Sequence, residues 1–280
     1  MADDEPAPAD TQAPVARAPI AWQPLTPRGV AAFAPATLSR LLLVELIVAV
    51  LAAGVIVWLL AVAWFPTIRQ AIRQLPEQGA IRNKQLASPL NGAQTLAETN
   101  FLMIVVDLEK QRNATQTSDL LIEFHKNNFQ VCSIFGCMVF DYPAGWNVEF
   151  NRPKLTPWWE AWEPIFLGMS AVIVIAGLFL SWALLATIYC GVVRLLGFFK
   201  DRDLNWRSSW RLASAALMPA ALLFTAGIFG YGLGVVDLIR LVLLFGLHLV
   251  VGWVYLAISP WFVPRLPGVL QRGENPFVSE

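Results

Sequence analysis

Residues Leu41 to Phe65 form an apolar run broken by a single charge, Glu45. Wound as a helix, about 20 apolar residues match the roughly 30 Å hydrocarbon core of a bilayer. Three more such runs follow residue 162. Only 14% of the chain is charged, against roughly 25% in ordinary soluble domains, and mean hydropathy is +0.55. The charge deficit is gathered in four blocks, so it reads as membrane spans and not as one greasy globule. The expected fold class is an α-helical multi-pass membrane protein of about four transmembrane helices. A small α+β extracytoplasmic domain is expected between helices 1 and 2.

The remaining composition places the boundaries. Prolines at 6, 8, 14, 19, 24, 27 and 35 mark a first segment rich in Ala, Pro and Asp. Such a stretch buries too little apolar area to offset its ordering entropy, so residues 1–36 are expected to be a disordered tail. The run that follows is too long for a signal-peptide core, and the first residues are acidic where a signal peptide is basic. Helix 1 is assigned to 37–66, with Pro66 as its stop. Residues 67–160 are the extracytoplasmic domain, 161–260 a three-helix transmembrane block, and 261–280 a short tail.

Orientation follows from lysine and arginine in short loops, which favour the cytoplasmic side. Arg194, Lys200, Arg202, Arg207 and Arg211 cluster between the second and third spans. Arg265 and Arg272 follow the fourth. Both termini are therefore expected in the cytoplasm and residues 67–160 outside. Arg69, Arg73, Arg82 and Lys84 dissent locally, but long domains translocate largely regardless of charge. Trp64, Trp158, Trp159 and Trp162 mark one interface, and Trp206 and Trp210 the other, because amphipathic rings favour the headgroup level. Packing against the soluble domain is the other reading of the Trp158–Trp162 cluster.

Within the domain, Phe101–Val106 is a short apolar run suited to a buried strand. Leu120–Phe124 is a second candidate. Phe129–Cys132 and Cys137–Tyr142 would form a hairpin turning at Ser133 to Gly136, and Trp146–Phe150 alternates as an edge strand does. Residues 67–75 have helical apolar spacing. Asn113-Ala114-Thr115 fits a glycosylation sequon, a pattern common by chance and without meaning in a bacterium. Cys132 and Cys137 are spaced for a disulfide across a short hairpin, given an oxidising compartment. Two unpaired core cysteines are the alternative. Cys190 lies inside a span, where a thiol behaves as a small hydrophobe.

Few residues carry candidate chemistry. A carboxylate within a span is a functional hypothesis by default, which singles out Glu45. His248, in the middle of the fourth span, and Arg40 are its candidate partners. If their helices touch, Glu45 and His248 could pair or relay a proton. The competing reading has Glu45 hydrogen-bonded in the bundle interior and His248 packed separately. It is favoured, because no chain of further ionisable groups accompanies them. Asp237 and Arg240 read as a helix cap. Small residues at Gly168, Ala171, Ala176 and Gly177, and from Ala213 to Ala221, read as close helix approach. No hydrolase elbow, phosphate loop, zinc pair or His-Glu-x-x-His motif is present. No catalytic residue, cofactor or metal is assigned, and a net charge of zero argues against nucleic acid.

The order of parts resembles an uncharacterised bacterial membrane family of the maltodextrin-utilisation type, related to Yip-type membrane domains. The residues behind the likeness are Met103-Ile-Val-Val-Asp107, the lead-in Leu75, Pro76, Gly79, Leu86, Pro89 and Leu90, and Pro219 in the helical block. That resemblance implies no catalytic residues. The function expected is an integral protein of the bacterial inner membrane: a non-enzymatic scaffold, sensor or accessory subunit presenting a periplasmic domain. Its expected partners are the lipid bilayer and another membrane protein or a second copy. The alternative is a small transporter subunit using Glu45 and His248.

Overall fold

The computed structural model describes residues 21–90, 92–109 and 117–266. Four of its helices are long and apolar enough to cross a membrane, judged by length and composition. The expected α-helical fold class does not hold for the chain as a whole. Its described residues make an α+β fold, with eight strands in two sheets beside the helices. Long apolar runs dominate a hydropathy reading, whereas strands of two to six residues leave only a faint trace in it.

Helix α1 (Pro27–Ala31) lies within the tail expected to be disordered. The Thr26 hydroxyl accepts from the Gly29 N–H at 3.1 Å and starts it. Val30, Phe33 and Ala34 are buried with Leu41, Leu212 and Val263. Composition misleads here because a proline-rich stretch needs no core of its own when a neighbouring apolar surface receives it. Residues 1–20 of the expected tail, 267–280 of the other tail, and the sequon lie outside the described residues.

Helix α2 (Leu38–Leu59) passes into a single π turn, Leu60–Trp64, and on into α3 (Phe65–Gln74). The expected stop at Pro66 does not occur. Proline has no N–H, and in a regular helix its ring crowds the carbonyl four residues back. Just ahead of it the backbone is already widened: the Phe65 N–H reaches the Leu60 carbonyl five residues back. Such bulges accommodate an interruption without ending the helix.

The smaller sheet has the order β2-β1-β8, from Gln85–Ala87, Ala80–Arg82 and Asn147–Val148. Asn83 and Lys84 both have positive φ at its first hairpin, 51° and 62°. Two-residue hairpin turns of this form match the strand twist. The larger sheet runs β3 (Ala93–Glu98), β4 (Leu102–Asp107), β5 (Leu120–Phe124), β6 (Asn128–Ser133) and β7 (Gly136–Asp141) in spatial order. Only the β4–β5 pair is parallel. β4 is buried along its whole length, as its continuous apolar run requires. Ile104, Val106 and Leu120 pack with Ala71 of α3 and with Leu75, just past its end, on one face, and Met103, Val105, Leu121 and Cys132 cluster on the other.

Helix α4 runs 48 residues, Arg152–Phe199, which is about 72 Å at 1.5 Å per residue. It starts at Arg152 and not at residue 161, because the Asn151 side chain accepts from the Lys154 N–H at 3.1 Å and caps it there. α5 (Trp206–Gly232) continues through Pro219, and α6 (Leu238–Ile258) ends in a 3₁₀ turn, Ser259–Phe262. α5 is the hub of the bundle: Leu212, Ala213, Ala215, Ala216 and Met218 are fully buried. Leu43, Val172, Leu180, Leu243 and Leu247 on the surrounding helices are exposed.

Candidate functional site

Leu41, Val44, Glu45, Val48, Ala49 and Ala52 form the buried stripe of α2. The Glu45 side chain is 2% exposed. Its carboxylate accepts a hydrogen bond from the Ser214 hydroxyl of α5. Arg40 does not serve it; that guanidinium lies over the Trp22 ring, 5.8 Å from its centre.

His248 is placed elsewhere in the bundle. Its ring stacks on Phe224 at 5.2 Å and lies 4.8 Å from Phe245. Its Nδ1 is bonded to the Phe245 carbonyl on the same helix, so that nitrogen carries the proton. It also lines a cleft of about 340 Å³ between α2, α4, α5 and α6, with Trp182, Leu217 and Thr225. The wall is mainly apolar, and Tyr189 is its other titratable side chain. Glu45 does not line this cleft. Among the described residues Glu45 and His248 therefore have separate partners, Ser214 for the first and Phe224 and Phe245 for the second.

Other expectations on the helices divide. Asp237 does cap α6, accepting from the Arg240 N–H at 2.7 Å and pairing with its guanidinium at 3.3 Å. The small residues of α5 are buried against its neighbours, and Gly252 of α6 faces Ala220. Gly168 and Gly177 of α4 instead face open space, so they mark no helix seam within the chain.

Cys132 and Cys137 stand directly opposite each other in the β6–β7 ladder and are joined by a disulfide. Of the two readings left open by their spacing, the structure has the bridged one.

One polar cluster escaped the sequence. Asp107, Glu123, His125 and Tyr142 are all buried in the sheet domain. Glu123 accepts from the Gln130 amide at 2.6 Å, and its Oε2 lies 3.8 Å from His125 Nε2. His125 Nδ1 donates to the Asp107 carbonyl at 2.9 Å. Tyr142 donates its hydroxyl hydrogen to the His125 carbonyl at 2.8 Å, and burial pushes its phenol above the ordinary tyrosine range. Glu123 lies on β5 and His125 just past its end, two residues on and hence on the same face. That alternation was a usable signal, but only once the parallel partner strand carrying Asp107 was known. Among the described residues no three His, Cys, Asp or Glu side chains are grouped to hold a metal. The bonds made run to backbone carbonyls and to Gln130, and Glu123 Oε1 is buried without a hydrogen-bond partner among the described residues.

The junction of sheet domain and bundle was also unforeseen in detail. Tyr231, in the last turn of α5, donates to Asp119 at 2.7 Å, and its ring meets Phe101 edge-on at 5.0 Å. Thr67 and Thr99 share a hydrogen bond of 3.3 Å. Phe65 packs on Trp159 at 5.1 Å, and Arg69 pairs with Glu163 at 3.5 Å. Trp158 and Trp162 stack on each other and stay exposed.

Comparison with protein-family models, with curated proteins and with solved structures finds no match. The resemblance drawn from Met103–Asp107 and its lead-in therefore rests on those residues alone.

Proposed function

We propose that this chain is an integral protein of the bacterial inner membrane that acts as a non-enzymatic scaffold, sensor or accessory subunit. Its sheet domain stands on the periplasmic side and its terminal segments on the cytoplasmic side. The partners are the bilayer and another membrane protein or a second copy. One observation carries the reading: the sheet domain is mounted on the bundle at several independent points. α3 and α4 enter it without a break from apolar helices and are joined by Phe65–Trp159 and Arg69–Glu163. A third helix is tied to it through Tyr231 and Asp119. A domain held this way suits presentation, or transmission of a load from one side to the other. The Glu45–Ser214 bond and the separate packing of His248 give a transport path little support.

The test is cross-linked recovery from the native membrane. The intact protein and its Glu45→Gln variant should recover the same partner, while Phe101→Ala combined with Tyr231→Phe should lose it at normal protein level. Unchanged recovery in the double variant, with the cellular phenotype lost in Glu45→Gln alone, would overturn the scaffold reading in favour of transport.

A further inference from the structure

Ile134 and Phe135 form the turn between β6 and β7 and are 50% and 78% exposed. Met138 and Val139, next along β7, are also exposed. No residue from Phe129 to Phe140 is charged, whereas Lys126 and Asp141 stand at the opposite end of the hairpin. Exposed apolar patches of this kind mark contact surfaces.

The register of the sheet says which way the turn points. Leu102 is level with Leu120, Leu120 with Ser133, and Ser133 with Gly136. Four strands therefore share one end. Phe101 and Asp119, just before β4 and β5, touch Tyr231 where α5 finishes. Thr99 meets Thr67 at the foot of α3. The shared end is thus the one that meets the helical bundle, and the apolar turn stands at the height where α5 stops.

We propose that Ile134 and Phe135 insert into the periplasmic leaflet of the bilayer and make the hairpin a lipid-anchored foot of the sheet domain. The inference rests on the membrane reading above. Aromatic and aliphatic side chains bind at the boundary between headgroups and acyl chains through buried apolar area. The Cys132–Cys137 bridge lies just behind the turn and holds both strands together as it leaves water. β7 is also a free edge, open in principle to another strand. A strand partner would use the whole length of that edge, whereas the charge-free apolar residues continue round the turn, at the end nearest the bundle.

The experiment uses the full chain in vesicles of phosphatidylethanolamine and phosphatidylglycerol. Benzoylphenylalanine replaces one residue at a time, and intact mass is read after illumination. Phe135→benzoylphenylalanine should give phospholipid adducts several-fold above Lys126→benzoylphenylalanine, at the far end of the hairpin. Leu247→benzoylphenylalanine, on the exposed face of α6, reports whether the helices are embedded. Lipid adducts at 247 without any at 135 would overturn the hairpin inference alone. A link from 135 to a second polypeptide would overturn it in favour of a protein contact. No lipid adduct at either position would remove the membrane reading, and this inference with it.

Discussion

Tyr231 donates to Asp119 across 2.7 Å, joining the last turn of α5 to the residue just before β5. The pair is 112 residues apart in sequence, so it closes a long path between the two halves of the molecule. A hydrogen bond to a charged group contributes about 1.5–3 kcal/mol when sheltered. Tyr231→Phe keeps the ring against Phe101 and removes only this bond. Amide hydrogen exchange over Leu120–Phe124 should quicken, with the helices unaffected. Identical exchange in variant and parent would mean that the bond does not couple the two halves.

Glu45→Gln keeps the shape of the side chain, and its amide oxygen can still accept from Ser214. The expected loss is on the order of 1 kcal/mol. Glu45→Leu leaves the buried Ser214 hydroxyl without that acceptor and should cost more, about 1–3 kcal/mol. Thermal unfolding in detergent ranks the three proteins. Gln falling below Leu would contradict the hydrogen-bond account.

Reducing the Cys132–Cys137 bridge reopens a very short loop. Loop-closure entropy puts the cost near 2–3 kcal/mol, less any strain. Peptide mass spectrometry without reduction, after free thiols are blocked, should find the bridged peptide and a labelled Cys190. Labelling of all three thiols would refute the bridge.

Tyr142 gives the sheet domain an alkaline limit. In the unfolded chain its phenol loses a proton near pH 10, while burial raises the value in the fold. Above about pH 10 the unfolded state therefore binds fewer protons than the native state. Stability from this group is complete below that pH and falls as pH rises, by up to about 1.4 kcal/mol per unit. Tyr142→Phe should be less stable at pH 8, because the His125 carbonyl loses a donor. Its unfolding midpoint should also decline less between pH 10 and 11. A parallel decline in both proteins would place the alkaline sensitivity elsewhere.

Sidedness can be read with a reporter that works only in the cytoplasm. Fusions after Lys200 and after Gln271 should be active, and a fusion after Asn113 silent. Activity after Asn113 would show that the dissenting Arg69, Arg73, Arg82 and Lys84 had decided the orientation.

The parts legible in the sequence are those with a strong local signal. Leu120–Phe124 reads as a strand residue for residue, and the β6–β7 hairpin and its turn are legible because apolar runs flank a glycine. β1, β2 and β3 are not. Their strands are short, Ala93–Glu98 has little β-branched character, and Asn83-Lys84 lacks the glycine that usually betrays such a turn. Glu45 is legible because one carboxylate in an apolar run stands out. Its partner Ser214 is not, since a serine among alanines reads equally well as a small packing residue. The Asp107–His125 cluster depends on parallel pairing of β4 with β5, a long-range choice that neither strand reveals alone.

The π turn at Leu60–Trp64 also acts as a phase setting. The turn takes in one residue more than a regular helix uses for the same rotation, so residues beyond it lag by about 100°. With that lag Val48 and Ala49 look into the bundle while Ile68, Ala71 and Leu75 look onto the sheet. The widened turn is therefore the one stretch of this helix that can give up a residue without turning α3. Loss of one residue between Leu60 and Ala63 would restore regular helix, draw α3 closer to the bundle and leave Arg69 and Arg73 facing as they do now.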